Sequence, residues 1–199
     1  MSQQSIGAKP TGAIGKIAGR IMNGIHSRQY KDIINHIADS MEDKTASILD
    51  IGCGGGIALS HFYKTFKTAR IYGIDLSPDM VNLSKRLNKK GVTEGRIAVF
   101  CSDACDIPIQ DKTVGIISAF DCINFWNDYP ATFSEMRRIL IPDGKIFIIN
   151  GYPEPDTKWY EFVRFKSIEE YQRLLGNNGF LMTSAKIVKH TAIIEGKAG

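Results

Sequence analysis

The sequence predicts a three-layer α/β fold with a mostly parallel sheet. Three observations carry that prediction. Short apolar runs alternate with helical patterns from Ser47 onward, the run Val114 to Phe120 has the composition of a central strand covered on both faces, and glycines cluster directly after the first apolar run.

Taken in order, Ile14, Ile17, Ile21 and Ile25 recur at helical spacing, but Gly15, Gly19 and Gly24 each weaken that helix by about 1 kcal/mol relative to Ala. Such a segment needs a surface to dock on. Tyr30, Ile33, Ile34, Ile37 and Met41 continue the stripe more firmly and predict a helix from about Arg28 to Met41. Ser47 to Ile51 then reads as a strand, the glycine cluster as a turn, and Ile57 to Phe66 as a helix. Arg70 to Asp75 is a second strand. Ser77 as N-cap and Pro78 at the first helical position open a helix through Met80, Leu83 and Leu87. Arg96 to Cys101 and Val114 to Phe120 are the next strands, and Phe133, Met136 and Leu140 share one face of a helix over Tyr129 to Leu140. Pro142, Asp143 and Gly144 turn the chain into the strand Lys145 to Asn150. The run Ser167-Ile168-Glu169-Glu170 is a capping box, whose serine oxygen and third-position carboxylate satisfy each other's neighbouring amides. The helix it starts ends in Gly176-Asn177-Asn178-Gly179, and two strands, Phe180 to Val188 and Thr191 to Gly196, close the sheet.

Composition narrows the function classes. The chain has 199 residues, 43% hydrophobic and 23% charged, which suits one globular domain with an appendage and excludes wholesale disorder or a coiled coil. No apolar run approaches the ~18 residues of a membrane-spanning helix, so no membrane partner is expected. Net charge is +4, yet Lys9, Lys16, Arg20, Arg28 and Lys31 stand among residues 1–31 without an acid, leaving one acid in excess over the rest. The basic surplus is therefore N-terminal: a solvated or pocket-covering arm, an arm contacting phosphate or an acidic partner, or, more remotely, a targeting segment. Cys53, Cys101, Cys105 and Cys122 lack paired metal spacing and secretory context, so the expectation is a cytoplasmic protein with no metal.

The most informative stretch is Ile48-Leu49-Asp50-Ile51-Gly52-Cys53-Gly54-Gly55-Gly56. Glycines directly after a first strand let backbone approach a ligand closely. A dinucleotide fingerprint G-x-G-x-x-G would need glycine at Ile57, so a nicotinamide or flavin fits poorly and an oxidoreductase is disfavoured. The spacing is G-x-G-x-G instead. Asp50, inside the strand, is placed to accept from the turn's amides or from a ligand ammonium group. Asp75, 19 residues beyond Gly56 at the end of the second strand, stands where an acid would accept from a ribose diol.

Together these residues resemble the class I S-adenosylmethionine-dependent methyltransferases over roughly Ile48 to Lys197. The resemblance implies a Rossmann-like, mostly parallel seven-stranded sheet with an antiparallel final strand, and S-adenosyl-L-methionine as cofactor. It also implies a cofactor site built from Asp50, Gly52, Cys53, Gly54 and Gly56, from Asp75 and Leu76, from Asp103 and Ala104 after the third strand, and from Asp121 after the fourth. Arg138 to Gly144 looks like the family's R-x-L-x-P-x-G run, with Asp143 where glycine is usual. Asp103 keeps the alternative of an ordinary loop or cap carboxylate, and Asp121 that of a capping or solvated acid.

Methyl transfer is an in-line displacement, so alignment and water exclusion come first and a base is optional. His26 is the candidate base, since N-terminal helices in this family fold over the site; a packing role is the alternative. Residues 1–42 are accordingly read as a helical lid and 43–199 as the cofactor-binding domain. The polar-Pro-Pro-aromatic element of many nucleic-acid base methyltransferases is replaced here by Asp121-Cys122-Ile123-Asn124. Aromatics instead gather towards the pocket, namely Phe120, Phe125, Trp126, Tyr129, Tyr152, Trp159, Tyr160 and Phe162, which suits a small-molecule acceptor and no nucleic acid. The rival reading is a catalytically silent S-adenosylmethionine or S-adenosylhomocysteine binder acting as a sensor or partner subunit. Acceptor atom, pathway and oligomeric state are not encoded in any motif.

Overall fold

The computed structural model describes residues 27–41 and 45–199. The first described helix, α1, covers residues 27–39 and buries Tyr30, Ile33, Ile34, Ile37 and Ala38 along one stripe. The chain then alternates as its periodicity predicts: β1 (Ile48–Ile51), α2 (Ile57–Thr65), β2 (Ile71–Asp75), α3 (Pro78–Leu87), α4 (Lys89–Thr93), β3 (Ile97–Cys101), β4 (Val114–Phe120), α5 (Tyr129–Ile139), β5 (Leu140–Gly151), α6 (Ile168–Asn177), β6 (Phe180–Val188) and β7 (Thr191–Ala198). The short α4 has no counterpart in the sequence reading.

The seven strands form one sheet in the order β3-β2-β1-β4-β5-β7-β6. Pairing is parallel from β3 to β5, and β7 lies antiparallel between β5 and β6. Alternate side chains of each strand feed two cores. Leu49, Ile117 and Ile148 pack with Phe133 and Met136 of α5 and Tyr171 and Leu175 of α6, while Ile48, Ile116 and Phe147 pack with Ile34 and Ile37 of α1 and Leu59 and Phe62 of α2. Those two faces make the three layers.

Local signals set most boundaries. Ser77 caps α3, accepting from the Met80 amide, and Asp128 caps α5, accepting from the Ala131 amide. At α6 the expected reciprocal box is only half formed. Ser167 accepts from the Glu170 amide, but the Glu170 carboxylate reaches one residue further back, to the Lys166 amide. The expected turn at Pro142 to Gly144 lies within β5, whose extended pairing begins already at Leu140; the turning is concentrated in Asp143, at φ 63°. Arg138 spans the gap beneath. It donates to the carbonyls of Ile107 and Ile109 at 2.8 Å each and to Glu135 and Asp111 at 2.7 Å, tying the β3–β4 loop to α5.

The sheet order places the site. The chain builds outward from β1 through β2 to β3, returns to β4 on the other side of β1, and builds outward again. A crevice therefore opens beyond the carboxyl ends of β1 and β4, the position where parallel α/β sheets bind ligands. Among the described residues no helix is long and apolar enough to cross a membrane.

Candidate active site

That crevice is a real cavity, and the turn after β1 forms its floor. Gly52, Gly54 and Gly56 have φ of 67°, 51° and 85°, so the G-x-G-x-G spacing marks the three left-handed positions of the turn. Their surroundings differ. A Cβ on Gly52 would stand 2.7 Å from Cβ of Cys122, and one on Gly56 would stand 2.2 Å from Oγ of Ser84. A Cβ on Gly54 would meet nothing within 4 Å, because this residue faces the open cavity. Gly56 lies behind the turn and does not line the cavity; its carbonyl accepts from Nδ2 of Asn88 at 2.9 Å.

Asp75, at the end of β2, holds the turn. Its Oδ2 accepts from the Gly54 amide at 2.9 Å and its Oδ1 from the Ser77 amide at 2.8 Å. Burial raises the Asp75 carboxyl above its usual value, and those two amides partly offset it. Of the two partners the sequence offers Asp50, the turn's amides and a ligand ammonium group, its side chain takes up no bond to the first among those seen. It is 1% exposed and accepts from Oγ of Ser118 at 2.8 Å, across the β1–β4 pair. Burial pushes Asp50 up to about 7, with Ser118 opposing and the charge of Asp75 adding. Burial likewise raises the Cys53 and Cys122 thiols, helped by Asp50. The Cys122 thiol donates to the Ile51 carbonyl at 3.0 Å.

The far wall comes from residues distant in sequence. Asp121 follows β4 with φ 50°, left-handed and unusual for a residue with a side chain. Its Oδ1 accepts from the Gly151 amide at 2.8 Å and its Oδ2 from the Tyr30 hydroxyl at 3.0 Å. The Tyr30 ring lies 4.4 Å from that of Phe120, and burial, then Asp121, push its hydroxyl pKa well up. This joins α1 to the cavity wall, and bonds from Gln29 to Thr191 and between Ser27 and His61 fasten the same helix to β7 and α2 away from the cavity.

Nine of the sequence candidates thus border one cavity: Asp50, Gly52, Cys53, Gly54, Asp75, Leu76, Asp103, Ala104 and Asp121. Gly56 supports them from behind, and His26 lies outside the described residues, as does most of the segment read as a lid. Asp103 is exposed and its Oδ1 accepts from the Cys105 amide at 3.0 Å. Of the aromatics, Phe120, Phe125 and Trp126 line the cavity. Tyr129 and Tyr152 pack against the α5–α6 core, while Trp159 and Phe162 are exposed. Tyr30 was missed; its place in an apolar helix stripe gave it the look of ordinary core. Among the described residues no three His, Cys, Asp or Glu side chains are arranged to hold a metal ion.

Comparison with known proteins bears on the family and the fold. Residues 49–148 match the family model described as a methyltransferase domain. Over 115 residues the chain is 30% identical to norajmaline N-methyltransferase of Rauvolfia serpentina, covering 58% of this chain and 39% of that protein. Over 114 residues it is 29% identical to a malonyl-[acyl-carrier protein] O-methyltransferase of Priestia megaterium, covering 57% and 40%. The chain thus spans about two fifths of the length of these relatives. In fold it is similar to a SAM-dependent methyltransferase of Aquifex aeolicus, with a TM-score of 0.80, 20% identity, and 91% and 97% of the two chains covered.

Proposed function

Since the chain belongs to the S-adenosylmethionine-dependent class I methyltransferase family, we propose that it transfers the methyl group of S-adenosyl-L-methionine to a small-molecule acceptor. The observation that carries this is the bond between the Gly54 amide and Asp75, which aligns a backbone floor and an acid at the switch point of the sheet.

The residues present fit the cofactor. Gly54 leaves open the space a side chain would fill, so backbone can approach a ligand there. Asp75 would take the ribose hydroxyls, Asp103 the adenine amino group and Asp50 the ammonium group, with Cys53, Leu76 and Ala104 packing beside them. When bound, the cofactor supplies an electrophilic methyl on a sulfonium. The protein's own task is alignment and exclusion of water, and buried Trp126 and Phe120 make that end of the cavity apolar. We read residues 1–42 as a lid, with His26 a candidate base within it. The bond from Tyr30 to Asp121 fastens α1 to the site and supports a docked lid.

Calorimetry with S-adenosylmethionine, S-adenosylhomocysteine and NAD tests the cofactor reading; tighter binding of NAD would overturn it. Incubation with methyl-labelled cofactor and a cell extract tests the acceptor class. Label in the low-mass fraction supports it, label in RNA, DNA or protein refutes it, and binding without any label transfer means a silent binder. Deleting residues 1–27 should leave the fold intact and impair transfer more than cofactor binding.

A further inference from the structure

Charge divides the cavity unequally. Four aspartates border it, Asp50, Asp75, Asp103 and Asp121, and none of its described lining residues is Lys, Arg or His. Three of the four are matched to named cofactor groups under the reading above, whereas Asp121, which the resemblance also sets at the cofactor site, is matched to none. Asp121 is different. It stands beside Phe120 and Cys122 after β4, its backbone is left-handed, and its two oxygens are oriented by the Gly151 amide and the Tyr30 hydroxyl. Asp121 is thus oriented from two sides where β4 ends at the cavity.

We propose that the acceptor is an amine, and that Asp121, oriented by Tyr30, faces its nitrogen and takes the proton that methylation releases. The proposal rests on the methyl-transfer reading and narrows its substrate. Electrostatics decides between acceptor classes. With the cofactor's cationic groups answering the acids assigned to it, Asp121 is the acid left beside the acceptor, and a carboxylate acceptor there would set like charges side by side at low dielectric. An amine reverses that sign: it enters as an ammonium ion and passes a proton to Asp121. Its freed lone pair forms the new N–C bond, the methyl–sulfur bond breaks with its electrons remaining on sulfur, and the positive charge returns to nitrogen. The product leaves as an ammonium ion beside a neutral thioether, and Asp121 releases its proton to water and regains its charge. Phe120, Phe125 and Trp126 give the acceptor an apolar bed, so a hydrophobic amine fits better than a hydrophilic one.

The test uses the full chain. Protein loaded with S-adenosylhomocysteine is titrated by calorimetry with N-methylbenzylamine and with phenylacetate. The amine should bind and the acid should not; equal or preferential binding of phenylacetate, or no binding of the amine, overturns the proposal. In parallel, label transferred from the cofactor into a low-mass extract should be base-extractable and stable to alkali. Alkali-labile methyl esters, or neutral alkali-stable methyl ethers, would overturn it.

Asp121→Asn keeps a side chain that tolerates left-handed backbone. It should lower kcat/KM for the amine by at least about tenfold while S-adenosylhomocysteine affinity changes by less than about threefold. An equal loss of both would make Asp121 a cofactor ligand instead. Tyr30→Phe retains the ring on Phe120 and should reduce kcat with S-adenosylhomocysteine affinity unchanged, whereas a mere clamp would leave kcat in place. Failure of S-adenosylhomocysteine itself to bind would strike the parent reading and is seen separately.

Discussion

The backbone amide of Gly54 and the carboxylate of Asp75 meet at 2.9 Å, joining the turn after β1 to the end of β2. The acid is therefore already oriented by the same turn that forms the cavity floor. A ligand bridging the two would find its partners in place and lose less freedom on binding.

Asp75→Ala removes both that orientation and the acceptor itself. Cofactor binding should weaken by at least the ~1.5–3 kcal/mol of hydrogen bonds to a charged group. Isothermal calorimetry checks this, and an unchanged dissociation constant would remove Asp75 from the site.

Gly54 and Gly56 should separate binding from stability. In Gly54→Ala the new methyl enters open space, so the fold should survive with about 1 kcal/mol of backbone strain while cofactor binding drops sharply. In Gly56→Ala the methyl would stand 2.2 Å from Oγ and 2.9 Å from Cα of Ser84, costing about 2 kcal/mol or more of stability. Chemical denaturation and calorimetry on the two variants check the contrast, which reversed results would refute.

Asp50 gives a pH signature. Its folded pKa, about 7, lies above the reference value of 3.8, so between those values the folded protein holds a proton that the unfolded chain has released. The stabilisation from this group is complete below about pH 4, declines as pH rises, and is gone above about pH 7. Asp50→Asn should therefore be less sensitive to pH than the parent over that window, and more stable than it near pH 8. A cationic ligand group favours the carboxylate, so cofactor binding should release a proton near pH 6 and tighten towards pH 8. Calorimetry in buffers of different ionisation enthalpy counts that proton; none released would detach Asp50 from the ligand's charge.

Asp143 holds left-handed backbone, φ 63°. Aspartate tolerates this better than most residues, but glycine does so without a Cβ penalty. Asp143→Gly should raise stability by up to about 1 kcal/mol and Asp143→Val should lower it by about 1–2 kcal/mol, with cofactor affinity unaffected in both. Urea denaturation measures the pair; a more stable valine variant would contradict the strain argument.

Much of the fold was legible because its signals are local. The run Val114 to Phe120 became the buried central strand with the bounds its composition suggested, and Ser77-Pro78 opened α3. The glycine spacing at 52, 54 and 56 coincided with three positive φ values, since the demand for left-handed backbone is written at each position singly. Less local features escaped. The Glu170 carboxylate chose the Lys166 amide over the expected one, and α4 lacked a periodic stripe long enough to register.

The sequence by itself determined the seven strands and the longer helices, which turn needs glycine, and that an acid ends the second strand. Only the tertiary structure decided what those acids touch. Asp50 and Ser118 are 68 positions apart and Tyr30 and Asp121 are 91 apart; each pair meets because β1 adjoins β4 and α1 packs over that junction. Periodicity reports whether a side chain faces a core or solvent, and Tyr30 satisfies the rule for a core residue. Its hydroxyl reaches the cavity because sheet order, a property of the whole chain, brings the end of β4 beneath it.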